Sequence, residues 1–321
     1  MISPACPNCK RILDPFKQGY KCSVCNYYLE NVGGILVSSD VMKESQKIYY
    51  DSLYETEHGK KWFQGLNRSN ILKRIVERVG LGYRRERFFK SKIKGKDNII
   101  LDLACGAGRD YLSNFGTVVG VDLAIEPLKI GKSRYQMVVQ SGVKQLPFSD
   151  DYFDYVISSD FFGHVESDDK DLIQKEIYRV LKSAGKTIHV IETDSENPWF
   201  KIAHRSPELF KKYFIDKIGG HIGLEMPSES LKRWEKNGFH IESVEKIWSL
   251  IWPVEYYGGL FGEEYLEKSN SLRIFISFTK LISKSKILRV LTDIVLTPVN
   301  YLVELVTPLN YGNGIMIVCK K

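Results

Sequence analysis

Between residues 97 and 195 short apolar runs alternate with stretches of helical period. Ile99, Ile100, Leu101, Asp102 and Leu103 form an apolar run broken by one acid, followed by a loop of small residues from Ala104 to Gly108. Thr117–Asp122, Met137–Gln140, Phe153–Ser158 and Lys186–Ile191 repeat the apolar pattern. Such runs predict parallel strands buried on both faces. Ala124–Ser133 and Asp168–Lys182 read as helices between them, Ser230–Asn237 as a later helix and Phe239–Ile247 as a later strand. The alternation predicts an α/β fold. Upstream, Ile71, Leu72, Ile75, Val76 and Val79 follow helical spacing, with Ser69 or Asn70 as cap and Gly80 and Gly82 as the stop. The best last strand is Gly314–Cys319. Before it lies an apolar insertion in which two or three helices are expected, around 271–283, 286–296 and 299–306, punctuated by Pro298 and Pro308.

The loop after the first strand carries the chemistry. Gly106 and Gly108 lack a Cβ, so the backbone can turn sharply and approach a ligand closely. Asp122 ends the second strand, where an acid in a doubly wound sheet can hold both hydroxyls of a ribose. Arg109, Asp110 and Tyr111 follow where a dinucleotide loop would bring a third glycine. A nucleoside without phosphates therefore suits the site.

These residues, Leu101–Gly108 followed by Gly120–Asp122, resemble the first two motifs of class I S-adenosylmethionine-dependent methyltransferases. Gln145–Phe148, Phe153–Ile157 and Glu176–Gly185 resemble that family's later segments in the same order. The resemblance implies a Rossmann-like seven-stranded sheet with helices on both faces, its last two strands antiparallel. It also implies S-adenosyl-L-methionine as cofactor, contacted by Asp102, Ala104, Gly106, Gly108, Asp122, Leu123, Gly142, Val143 and Ser158. One departure stands out: Ser141-Gly142-Val143 replaces the family's Gly-Asp-Ala, so adenine must be held by backbone near Val143 and by apolar side chains such as Leu123. Asp160 and His164, after the fourth strand, are the candidates for touching the acceptor, with His164 as a base near neutral pH. His164 packing beside the cofactor is the competing role. Glu192 and Asp194 emerge at the end of the fifth strand and His221 is expected in a substrate loop.

Cys6, Cys9, Cys22 and Cys25 form two C-x-x-C knuckles. Four thiolates so spaced can close a tetrahedral Zn²⁺ site with no open position, which makes the metal structural. A disulfide pair or a redox motif is the competing chemistry, and two matched knuckles in a cytoplasmic chain favour zinc. The knuckles and the segment through Leu36 resemble the zinc ribbon that precedes some methyltransferase domains, including a bacterial ribosomal-RNA guanine methyltransferase. The expected organisation is a ribbon-like module at 1–37, a connector with lid helices at 38–96, the methyltransferase core at 97–248 and 312–321, and a helical insertion at 249–311.

Charge adds one asymmetry. Residues 1–98 hold 19 Lys and Arg against 10 Asp and Glu, and the remainder is nearly balanced at 27 against 29. The basic excess includes Arg84–Lys96, with Phe88 and Phe89 interleaved; such a run either stacks on bases or forms a solvated helix with its aromatics turned inward. No apolar run reaches the ~20 residues that span a bilayer, and no secretory signal is expected. In the insertion, Lys280, Lys284, Lys286 and Arg289 lie among apolar residues, so those helices could rest on a membrane surface, pair in a homodimer or roof a pocket. Three functions stay open: methyl transfer to a small or lipid-linked metabolite, which the insertion favours; methylation of ribosomal or transfer RNA; and a non-catalytic binding module on the same scaffold.

Overall fold

The computed structural model describes residues 2–41, 81–216, 220–249, 261–267 and 270–321. The connector aromatics Tyr49, Tyr50, Tyr54, Trp62 and Phe63, and the helix expected over 71–79, lie outside them. Among the described residues eleven strands make one sheet: β1 (Asp14–Phe16), β2 (Gly19–Lys21), β3 (Tyr28–Val32), β4 (Ile35–Ser38), β5 (Asn98–Leu103), β6 (Gly116–Asp122), β7 (Met137–Gln140), β8 (Phe153–Ser159), β9 (Leu181–Glu192), β10 (His240–Ile247) and β11 (Gly314–Lys320). Their order is β1-β2-β3-β4-β7-β6-β5-β8-β9-β11-β10. From β7 to β9 all pairings are parallel, whereas β11 runs antiparallel to both β9 and β10. The seven strands of the expected fold are thus present. The four N-terminal strands extend the same sheet, because β4 pairs in parallel with β7 through Leu36–Val139 and Val37–Gln140.

The helices are α1 (Leu81–Lys92), α2 (Ile125–Gly131), α3 (Ser167–Val180), α4 (Pro198–His204), α5 (Pro207–Phe210), α6 (Pro227–Lys236), α7 (Glu263–Glu267), α8 (Asn270–Lys284) and α9 (Lys286–Val306). Side chains alternate across the central strands, giving two cores. One joins Leu101, Val119 and Val156 to Ile173, Ile177 and Val180 of α3; the other joins Ile100, Val118 and Ile157 to Phe88, Phe89 and Ile93. Each such buried side chain contributes roughly 1.5–3 kcal/mol. Phe88 and Phe89 are therefore inside the protein and not available to stack on bases.

Two local expectations are corrected. Gly82 lies inside α1 rather than ending a preceding helix, and α9 runs unbroken through Pro298. Pro298 sits on the exposed side of α9, and the loss of one ladder bond there is tolerated by a helix anchored elsewhere. A third apolar cluster, with Phe200, Ala203, Phe261, Tyr265, Leu272 and Ile276, ties α4, α7 and α8 together.

Candidate active site

The loop leaving β5 has left-handed backbone at Ala104 (φ +49°), Gly106 (φ +55°) and Gly108 (φ +79°). Two of these positions are glycine because that region is costly for side chains. A Cβ on Gly106 would meet nothing within 4 Å, so the loop borders open space there; one on Gly108 would stand 3.1 Å from the Tyr135 ring. Asp122, at the end of β6, fixes the loop: its carboxylate accepts from Gly106 N (2.8 Å) and Ala124 N (2.9 Å). Burial pushes the Asp122 carboxyl up to about 6, against the pull of those N–H donors. Asp102 is fully buried and accepts from Arg109 Nη1 at 2.5 Å and from the Tyr135 hydroxyl at 2.6 Å. Burial raises its pKa while Arg109 opposes the shift.

Other predicted cofactor residues are differently placed. The Leu123 carbonyl accepts from Gln140 Nε2 at 2.9 Å, and Val143 packs against the first core. Gly142 borders a cleft of about 580 Å³ between the N-terminal strands and α3, which Lys10, Tyr27 and Lys144 also line. The Ser158 hydroxyl is turned into the core, 2.7 Å from His189 Nδ1.

Asp160 directly follows β8 in left-handed backbone (φ +56°). Its Oδ2 pairs with Arg85 of α1 and accepts from Ser159 Oγ at 3.1 Å. The Arg85 guanidinium lies 4.7 Å from the Trp248 ring centre, a cation–π contact. Next to Arg85 on the same helix, Arg84 reaches the other way, to Glu304 of α9 at 2.5 Å. Helix α1 thus joins the end of β8 to the insertion.

His164 lies in a single 3₁₀ turn (Phe162–His164), its ring stacked on that of His221 at 4.3 Å. Nε2 of His221 is 3.0 Å, and Nε2 of His164 3.6 Å, from Glu192 Oε2 at the end of β9. Although burial opposes ionisation, His221 wins and the Glu192 carboxyl falls to about 2; the same contact raises His221 against its own burial. The sequence placed Glu192 and His221 near the site but gave no sign that they meet. It also offered no partner for Asp102, although Arg109 stands directly after the glycine loop.

At the N-terminus the structure gathers Cys6, Cys9, Cys22 and Cys25, with all four sulfurs within 4.8 Å of one another. Cys9 and Cys22 Sγ are 3.5 Å apart, close to the roughly 3.8 Å edge of a tetrahedral thiolate site. The N–H groups of Val24 and Cys25 point at Cys22 Sγ and lower that thiol to about 7. The donor set fits zinc.

A methyltransferase-domain family model matches residues 101–189. The ubiquinone/menaquinone biosynthesis C-methyltransferase of Xanthomonas oryzae pv. oryzae is 31% identical over 183 residues, covering 48% of this chain and 71% of that protein. The chain belongs to the class I S-adenosylmethionine-dependent methyltransferases. Another methyltransferase of the family, the demethylmenaquinone methyltransferase of Lactobacillus johnsonii, is 32% identical over 156 residues, covering 44% of this chain and 62% of that one. The chain spans 62%, 52% and 55% of the length of three such curated relatives. In fold it is similar to the Haemonchus contortus phosphoethanolamine N-methyltransferase 2 solved with S-adenosyl-L-methionine, with a TM-score of 0.52 at 19% identity, covering 87% of this chain and 60% of that one.

Proposed function

We propose that this methyltransferase transfers a methyl group to an apolar, lipid-linked small molecule taken from the cytoplasmic face of a membrane. The observation that carries this reading is the orientation of α9. Its inward face is polar: Asn300 and Glu304 are buried, and Glu304 accepts from Asn300 Nδ2, Trp248 N and Arg84. Its outward face is apolar: Ile287, Leu291, Val295, Leu302, Leu305 and Val306 are all exposed. No helix among the described residues is long and apolar enough to cross a membrane, so the face suits a surface contact. Arg273, Lys280 and Lys284 are exposed beside it on α8 and suit anionic head groups. The named relatives, which act in quinone biosynthesis, support an acceptor of this kind.

S-adenosylmethionine carries its methyl on a sulfonium, already electrophilic, so the chain's task is to align and to dehydrate. Asp122 holds the ribose hydroxyls. Gly106 leaves room for the methionine end, and Asp102 holds Arg109 and Tyr135 under it. Asp160 and His164 touch the acceptor, with Arg85 keeping Asp160 in place. Cys6, Cys9, Cys22 and Cys25 hold a structural Zn²⁺. Metal analysis of the purified chain should find it, and Cys22→Ser should lose it.

The test of the acceptor uses methyl-labelled cofactor with two substrates: a demethylated quinol in anionic vesicles, and total RNA. Label in the lipid phase, with the protein floating on the vesicles, is the expected result. Label in RNA, or a chain that dimerises and ignores vesicles, would overturn the reading.

A further inference from the structure

His164, Glu192 and His221 come from three separate parts of the chain: the turn after β8, the end of β9, and the loop beginning at Gly220. Their ligand atoms all lie within 4.8 Å of one another. Two donors bound about 2.1 Å from one ion stand roughly 3.0–3.4 Å apart. The two Nε2···Oε2 distances, 3.0 and 3.6 Å, bracket that spacing.

The hydrogen bonding around the trio points the same way. His164 Nδ1 is 3.3 Å from the Gly220 carbonyl. A carbonyl only accepts, so Nδ1 donates there and Nε2 is the His164 atom turned toward Glu192. A divalent ion bound here would take the place of the imidazole protons between the rings and the carboxylate. Fixing one imidazole nitrogen by a backbone carbonyl while the other faces a carboxylate is how metal-binding histidines are oriented. Glu192 Oε2 is shielded from solvent and receives no well-directed hydrogen bond.

The surrounding backbone holds the trio rigidly. Gly223 N donates to the Gly163 carbonyl at 3.0 Å, and the buried Lys170 donates to the Gly223 carbonyl, so the loop that carries His221 is tied to the turn that carries His164. A Cβ on Gly163 would come within 3.1 Å of Glu192 and 3.3 Å of His221; the missing side chain lets the three ligands close up.

We propose that His164, Glu192 and His221 form a binding site for one divalent transition-metal ion, distinct from the four-cysteine cluster. Two imidazoles and one carboxylate are a borderline-hard donor set suited to Mn²⁺, Fe²⁺, Co²⁺ or Zn²⁺, and they leave coordination positions open. An open position at the C-terminal end of the sheet would take a hydroxyl or carbonyl oxygen of the acceptor and fix its orientation. That use rests on the acceptor reading above; the ion binding itself does not.

The experiment needs no acceptor. The full chain is first given one equivalent of zinc, which the four thiolates take in preference, then dialysed against Mn²⁺, which thiolates bind poorly. Bound Mn²⁺ is counted by electron paramagnetic resonance. The expected result is one Mn²⁺ per chain, with affinity at least tenfold weaker in Glu192→Gln and in His221→Ala and unchanged in Cys22→Ser. Cofactor binding by calorimetry checks that each variant is folded. If a variant does not fold, Mn²⁺ broadening of the His164 and His221 side-chain resonances in the wild-type chain decides: broadening of both supports the site, and no broadening overturns it. Equal Mn²⁺ binding by folded variants and wild type, or none by the wild type, also overturns it. Such a failure leaves the acceptor reading standing, and RNA labelling would leave the metal site standing.

Discussion

Helices α3 and α9 are both amphipathic, and they face opposite ways. In α3 the apolar stripe of Ile173, Ile177 and Val180 is buried against the sheet, and Asp168 and Lys175 meet solvent. In α9 the buried positions include Thr297, Asn300 and Glu304, whereas Leu305 and Val306 are 80% and 82% exposed. Helix α3 gains its place from apolar burial. Helix α9 is held by a few directed polar contacts, chiefly Arg84 to Glu304, and leaves its apolar surface unused. The difference teaches that amphipathic period alone does not say which stripe faces the protein. The partners of the polar residues decide it.

Four variants break or sharpen that contrast. Removing the counter-ion under α9 should have the largest effect: Glu304→Ala leaves the buried Arg84 with only the partly exposed Glu245 at 3.9 Å as a carboxylate partner, at about 3–5 kcal/mol. Hydrogen exchange should then rise across α9 while β5–β8 stay protected; uniform protection would mean the pair does not hold the helix. On α3, Ile177→Ala should cost about 2–5 kcal/mol in urea unfolding, because it opens a cavity in a closed core. At the cofactor end, Asp122→Asn should weaken cofactor binding by about 1.5–3 kcal/mol, the worth of a charged hydrogen bond. The Asp122 carboxyl, raised to about 6, must be ionised to accept well, so wild-type affinity should fall as pH drops below about 6 and the variant should lack that fall. The sign for stability is opposite. The folded chain holds this proton more tightly than the unfolded one, so the contribution of Asp122 is greatest at low pH and is lost as pH rises through about 6. Calorimetry across pH measures the first effect and thermal melts the second. Smallest in stability, within about 0.5 kcal/mol, should be Leu305→Gln with Val306→Gln, since neither side chain is buried. The same pair should abolish flotation on anionic vesicles; a variant that still floats would show that this face is not the contact.

The parallel strands were legible because strands buried on both faces are apolar throughout, and Met137–Gln140 matches β7 residue for residue. The glycine loop and the four cysteines were legible because their spacing is local. The rest depended on contacts between distant segments. Arg85 with Asp160, and His221 with Glu192, join residues that no periodic pattern links. Pro298 suggested a helix break because its missing N–H usually stops a helix; here it falls on an exposed side and α9 continues. Ser158 looked like a strand-end ligand, yet the alternation of β8 turns it toward His189, whose ring lies stacked on Trp234 and is kept neutral by burial, its pKa lowered to about 3.

The pairing of β4 with β7 also sets an order of events during synthesis. Leu36 leaves the ribosome about a hundred residues before Val139, its neighbour in the sheet. At about 5–20 residues per second, the first strands wait roughly 5–20 s with an open edge. An ion closed on Cys6, Cys9, Cys22 and Cys25 would keep that nascent segment compact through the wait, since metal binding there is folding energy. Zinc withheld during translation should therefore lower the yield of folded chain far more than zinc stripped from the finished protein, in which β7 already covers the edge of β4.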